Sequence, residues 1–455
     1  MMQGSGIKMQ DISTESAVPG LEKTASPSSP PSAPSELCRL SATEAMDLMR
    51  RQKITSADLL ASCIGRIADR EPTIRAFAHF DPDRAMDEAR RRDLEATRGP
   101  LHGIPVGVKD IFATADMPTR YNSPIYREHR PAIDAACVQR LRDAGAIVIG
   151  KTETAEFAHQ SPAPTANPVN DRYTPGGSSS GSAAGTADFF FPLALGSQTG
   201  GSTIRPGSFC GVFAFKPSFD RLPCSGMKHL APSLDTVGLY ARSVADLSLL
   251  FAVLDGNSPE PVPGGPLRIG VCRNYLADKV DASSRETLAR FAAAAGDRAI
   301  VTEIELPSAF DELPDASLTL MDAELAVSLK TECERHPELV SEKARDAFGR
   351  GQNIGRDQIQ AILQARDECR RHAHRIFESH DALLTFSACG EPPIGRDPGD
   401  AVVNRPWSLL GLPCINIPAG HGPHGLPIGV QLVGAFNRDA MLLETAQRLT
   451  AAATT

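Results

Sequence analysis

Three serines in this 455-residue chain sit in patterns that can carry nucleophilic chemistry. Gly177–Gly181 reads GSSSG and fits the GxSxG turn of serine hydrolases, which would make Ser179 the attacking group. Ser225–Lys228 fits SxxK, a serine paired with a lysine one helical turn on. Ser202 lies in GGSTIRP, directly after two glycines. Small residues let backbone N–H groups approach a ligand closely. Three of them in a row, ending at a serine, can turn their N–H groups toward one point, as an oxyanion requires.

A serine hydroxyl is a poor nucleophile at its free pKa and needs a base. No histidine stands in a motif-like setting near these loops. Lys109 does, at the end of Gly99–Lys109, which reads GPLHGIPVGVK around a short apolar strand. Lysine rarely enters a core, and the ordinary reading is a side chain that reaches back to the surface. The alternative is a buried lysine, whose ammonium loses its proton more easily and becomes a neutral base. Serine–lysine variants of the triad follow this logic.

These residues need elements to hold them. The stretch Thr174–Pro217 carries two Gly/Ser clusters, Gly176–Ser182 and Gly200–Ser202, around the apolar run Phe189–Leu195. That run is expected to be buried, so the two loops lie at the edge of a core. A GxSxG turn must directly follow a buried strand, yet Asn170–Gly176 is made of polar turn formers. The SxxK match lacks the SDN and KTG companions of its class.

Elsewhere helices and strands alternate. Ser41 with Glu44 and Thr55 with Asp58 form capping boxes for helices over 42–52 and 56–69. Strands are expected near Ala76–Phe80, Ile104–Val108, Ala146–Ile149, Ile269–Cys272, Ile300–Leu306, Asp381–Phe386 and Ile428–Leu432. Helices are expected over Ala85–Leu94, Ala135–Asp143, Val244–Leu254, Ser284–Ala295 and Asp439–Ala452, and Leu222–Leu239 reads as irregular. Residues 310–379 are charged and mostly helical, with solvated faces. The hairpin-like end includes WSLLGLPCINIP and a turn at His421–Leu426. This alternation predicts an α/β fold with a large central sheet. Gly145–Thr152 (GAIVIGKT) fits the phosphate-loop pattern GxxxxGK[ST], but its four variable residues are the strand itself rather than a loop.

Composition narrows the function further. The net charge of −8, with both signs interspersed, argues against a nucleic-acid or anionic-membrane partner. Ten cysteines without metal-like or disulfide-like spacing fit thiols in a reducing cytoplasm. No run has membrane-spanning length, and the N-terminus has no apolar core of a signal peptide. Residues 1–38 are rich in Ser and Pro and are expected to be a disordered tail. Residues 39–455 are expected to be one catalytic domain.

Together GVKD at 107–110, GGSSSGSAAG at 176–185, QTGGSTIRP at 198–206, FCGVFAFKPS at 209–218 and GLPIGVQLVG at 425–434 resemble the amidase-signature family, in order and spacing, over about residues 40–450. The chain looks most like the malonamidase-type branch, with Gln198 where the wider family commonly has Asp. The resemblance implies one large domain: a mixed twisted sheet covered by helices on both faces. It implies a triad of Ser202 as nucleophile, Ser178 as proton relay after a cis Gly177–Ser178 bond, and Lys109 as general base. The plainer role for Ser178 is to cap the helix that begins near Ser180. Backbone N–H groups of Thr199, Gly200, Gly201 and Ser202 would form the oxyanion hole. Gly177, Ser179 and Arg205 would contact substrate, Arg205 by clamping a carboxylate or, alternatively, by packing on backbone carbonyls. The implied reaction cleaves a small amide, of malonamate type in that branch, without cofactor or metal. The resemblance also allows a homodimer. The alternative is a glutamine amidotransferase component of the A type, which feeds ammonia to a partner.

Overall fold

In a computed structural model of the chain, Met1 and residues 34–256 and 264–451 are described. Most of the expected tail, and most of the expected break at Pro261–Gly265, lie outside them. The described residues include the last part of the expected tail. Pro34–Arg39 forms a 3-10 turn against helix Ser56–Ile74. Leu37 and Cys38 are buried there, and Cys38 N–H donates to Ser62 Oγ at 2.9 Å. These two apolar residues follow the Ser/Pro run closely, and the composition of that run masked them.

Eleven strands build one sheet: β1 (Phe77–Phe80), β2 (Pro105–Lys109), β3 (Ile147–Thr152), β4 (Leu193–Gln198), β5 (Phe213–Lys216), β6 (Thr236–Ala241), β7 (Leu267–Val271), β8 (Ala299–Glu303), β9 (Ala382–Phe386), β10 (Cys414–His421) and β11 (Pro427–Val433). Their order is β1-β3-β2-β4-β6-β5-β10-β11-β9-β7-β8. β2 runs parallel to both β3 and β4, and β7 parallel to β8 and β9, while β4–β6, β5–β6, β5–β10 and β10–β11 are antiparallel. The sheet is therefore mixed, and helices flank it. β2, β3, β4, β6, β9 and β11 are buried along their whole length, so their sequences lack a strict alternation of apolar and polar residues.

Two local expectations meet the structure differently. β3 extends through Gly150, Lys151 and Thr152, so the phosphate-loop match is strand, and Lys151 is buried with its Nζ 2.9 Å from Asp110. β6 lies inside Leu222–Leu239 and beyond, a segment read as irregular. Gly238 interrupts its apolar run, and pairing with β4 and β5 on either side makes it a strand. The 310–379 region forms helices Leu313–Ser328, Lys330–Arg335, Glu342–Gln352 and Arg356–Ser379. They enclose a second core around Phe310, Tyr275 and Trp407. Four polar links tie these helices to loops near the sheet: Glu156 accepts from Ser341 N–H, Lys228 pairs with Glu332, Glu324 accepts from Ser233, and Lys343 pairs with Asp397.

Candidate active site

The site is set by β2 and β4 being parallel neighbours. Val106 pairs with Leu193 and Val108 with Leu195, so both strands end at the same edge of the sheet. The end of β2 delivers Lys109 and the end of β4 delivers Ser197 and Gln198. Lys109 is fully buried, and its Nζ lies 2.7 Å from Ser178 Oγ and 2.8 Å from Ser197 Oγ. Burial holds its ammonium well below the usual lysine pKa, opposed by the negative charge of Asp235.

The serine run divides its work among backbone partners. Ser179 Oγ donates to the Ser197 carbonyl, Ser180 Oγ to that of Gly176, and Ser182 Oγ to that of Leu195. Ser178 alone turns its hydroxyl to Lys109. The Gly177–Ser178 peptide is cis. Helix Ser180–Ala187 has no side-chain cap at its start, so Ser178 is not spent on capping. Ser179, expected as a substrate contact, is fully buried, and its hydroxyl also accepts the Ser197 N–H at 3.2 Å. It is a strut for the end of β4. The same contacts remove it as a nucleophile.

Beyond β4 the chain turns through Thr199–Ser202. Among the described residues, the Ser202 hydroxyl has no hydrogen-bond partner, and Ser202 is 8 % exposed. Nor do the N–H groups of Thr199, Gly200, Gly201 and Ser202 have protein acceptors among them. These are four successive free donors beside a free hydroxyl. Gln198 holds the turn from behind. Its Oε1 accepts the N–H groups of Thr203 and Ile204, at 2.9 and 3.0 Å, capping helix Ile204–Cys210. Its Nε2 donates to Ser408 Oγ, which in turn donates to the Gly200 carbonyl at 2.7 Å.

A distant segment forms the far wall. A methyl group built on Gly201 would lie 2.5 Å from Asn404 Oδ1, and one on Gly177 would lie 3.0 Å from Pro398. The small residues of both serine loops thus make room for the 398–405 segment. Arg205 is 5 % exposed, and its Nη2 donates to the Gly177 carbonyl at 2.7 Å. Its Nε is buried without a partner. Burial, reinforced by the nearby Arg405, pulls its pKa down to about 10.

Ser225 and Lys228 do not form a pair with each other. Lys228 Nζ sits 2.6 Å from Glu332, and 5.4, 5.3 and 5.4 Å from the ring centres of Tyr121, Tyr126 and Phe157. The sequence reading missed three residues near the site: Ser197, Asp235 and Arg405. Ser197 was recoverable from its place at the strand end. Asp235 was hidden in the segment read as irregular, and Arg405 lies just outside the stretches singled out in the sequence. Among the described residues, no cluster of three His, Cys, Asp or Glu could hold a metal, and no helix is long and apolar enough to cross a membrane. All ten cysteines are free thiols.

Comparison with known proteins gives the family and the fold. The family model described as Amidase matches residues 58–443. The A component of the glutamyl-tRNA(Gln) amidotransferase of Chloroflexus aurantiacus is 32% identical, covering 91% of this chain and 97% of its own. A solved amidase structure superposes with a TM-score of 0.83 at 30% identity, over 90% of this chain and 99% of its own. The peptide amidase of Stenotrophomonas maltophilia gives a TM-score of 0.75 at 27% identity, over 90% and 96%. A single α/β domain with an eleven-stranded mixed sheet, matched along nearly its whole length, makes this chain a member of the amidase family, hydrolases that act on amide C–N bonds.

Proposed function

We propose that the protein is a stand-alone amidase that converts a small carboxamide to carboxylate and ammonia through Ser202, Ser178 and Lys109. The observation that carries this is the 2.7 Å contact between Ser178 and a fully buried lysine whose proton affinity is depressed. Neutral Lys109 has one lone pair. With Ser197 taking a Lys109 N–H, that lone pair accepts the Ser178 hydroxyl proton. Ser178 in turn takes the proton of Ser202, whose oxygen attacks the amide carbonyl. The free N–H groups of residues 199–202 receive the developing oxyanion. One such donor is typically worth about 3–4 kcal/mol. The C–N bond breaks as the proton returns through Ser178 to the leaving nitrogen, and ammonia departs. Water then attacks the acyl-enzyme by the same relay and releases the carboxylate.

Arg205 is the substrate-selecting group in this scheme. One arm of its fork holds Gly177, and its charge, which no carboxylate pairs within the described residues, remains for a substrate carboxylate. This fits a short acid-amide, as the likeness to malonamidase-type enzymes implies. A homodimer in a reducing cytoplasm belongs to the same proposal, and light scattering of the purified chain tests the dimer. Ammonia release should occur without ATP. It should vanish in Ser202→Ala and fall by about 100-fold or more in Lys109→Ala. Undiminished turnover by purified Ser202→Ala would overturn the assignment. In a panel of short amides, Arg205→Ala should raise KM for those bearing a distal carboxylate more than for neutral ones. Equal losses would remove the clamp.

The similarity to the A component of an amidotransferase favours a second reading, in which the ammonia passes to a partner. Glutaminase activity that appears only on addition of a co-purifying protein would favour that reading over the first.

A further inference from the structure

We propose that Asp235 is a positioning residue of this site, which ties the oxyanion loop to the sheet and acts through its charge on Lys109. The proposal rests on Lys109 and Ser202 having the roles given above. Asp235 immediately precedes β6, whose first residue, Thr236, pairs with Gln198 at the end of β4. The nucleophile loop begins one residue later, at Thr199. Asp235 is 4 % exposed, and its two carboxylate oxygens are shared out. Oδ1 accepts the Thr199 hydroxyl at 2.6 Å. Oδ2 accepts the N–H groups of Leu230 and Ala231, at 2.9 and 3.2 Å, and meets His229 Nδ1 at 3.1 Å. The carboxylate is fixed by four groups and cannot swing away from the loop it holds.

Thr199 is the first of the four residues whose N–H groups are free. Among the described residues its hydroxyl is anchored only through Asp235, so the direction of that N–H depends on the carboxylate. The charge of Asp235 also acts on Lys109, whose hydrogen-bond partners are the Ser178 and Ser197 hydroxyls. Burial alone would make Lys109 a very weak base. An anion nearby restores part of its proton affinity, and a general base works best when that affinity lies near the working pH. The groups that hydrogen-bond the Asp235 carboxylate are Thr199, His229 and the two loop N–H groups, and its charge acts on Lys109 and on the Cys224 thiol. Burial first, then Asp235, pushes that thiol up to about 12. His229 is partly exposed, and its hydrogen bond to Asp235 raises its proton affinity. Glu324 acts on it in the same direction.

The test is the pH dependence of kcat/KM for ammonia release by the full-length protein. It is paired with the pH dependence of fluorophosphonate labelling at Ser202, which needs no amide. Asp235→Asn should move the acid limb of both profiles about one pH unit lower, because Lys109 then loses its proton more easily. Its plateau should fall about tenfold as the loop loosens. Asp235→Ser is a second neutral variant should the first not fold. Thr199→Val should lower the plateau and leave the limb in place, since the charge remains. His229→Gln should leave the limb in place as well. An unmoved limb in folded Asp235→Asn, or a limb that moves in His229→Gln instead, would overturn the proposal. Failure of wild-type Ser202 to label would overturn the nucleophile assignment beneath it, a separate outcome.

Discussion

The Ser197 hydroxyl lies 2.8 Å from Lys109 Nζ, nearly as close as the 2.7 Å of Ser178. A buried neutral lysine has two N–H donors and one lone pair. Ser197 gives one donor a fixed partner, so the lone pair is aimed rather than free to rotate. Ser197→Ala should lower kcat roughly tenfold, the value of one net hydrogen bond at the transition state. KM should change little. Steady-state kinetics on any amide substrate decide it, and an unchanged kcat would make Ser197 a bystander.

Lys109 also leaves a mark on stability. Its folded pKa lies below the unfolded value of 10.5. Between the two, the unfolded chain binds a proton that the folded chain does not, so stability gains with rising pH. Relative to Lys109→Met, which cannot titrate, the wild type should gain up to about 1.4 kcal/mol per pH unit across that window. The gain ends above pH 10.5, where both states are neutral. Urea unfolding of both proteins at a series of alkaline pH values measures this. Parallel curves would mean that Lys109 titrates normally.

Gly201 tests the packing of the 398–405 segment on the nucleophile loop. A Cβ there meets Asn404 Oδ1 at 2.5 Å and the Ala401 Cβ at 3.0 Å. Asn404 is itself fixed, donating from Nδ2 to the Ser387 carbonyl at 3.0 Å. Gly201→Ala should therefore shift the loop rather than Asn404. Activity should drop by about 100-fold or more with misplaced oxyanion donors. Circular dichroism should still report a folded chain.

His159 is buried, and neither ring nitrogen has a hydrogen-bond partner among the described residues. Burial lowers its pKa from 6.5 to about 4, helped by Arg350 and Lys343. The unfolded chain takes up the proton first as pH falls. Stability tied to this residue is therefore complete above pH 6.5 and is lost progressively down to about 4. His159→Phe should remove that acid loss, an effect of about 3 kcal/mol. Thermal melts at pH 7.5 and 4.5 should show a smaller difference for the variant. An equal difference would place the proton elsewhere.

The sequence determined the chemistry of this site more fully than its construction. GVKD and QTGGS single out Lys109 and Ser202, the base and the nucleophile of the proposed mechanism, because that mechanism needs particular residue types near strand ends. The alternation of apolar runs and helical segments likewise shows an α/β sheet. The roles within the serine run were legible only through the resemblance. GSSSG offers three hydroxyls, and which of them faces the lysine depends on where the backbone carbonyls of Gly176 and Ser197 lie. The site also draws on residues far apart in the chain. Lys109 meets Ser197 because β2 and β4 are parallel neighbours. Asp235 meets Thr199 because β6 pairs with β4, and Asn404 meets Gly201 because the chain returns from its far end. A one-dimensional pattern records strand ends but not which strands adjoin. Adjacency is fixed when the whole sheet closes its core, and Asp235 and Arg405 came to light only there.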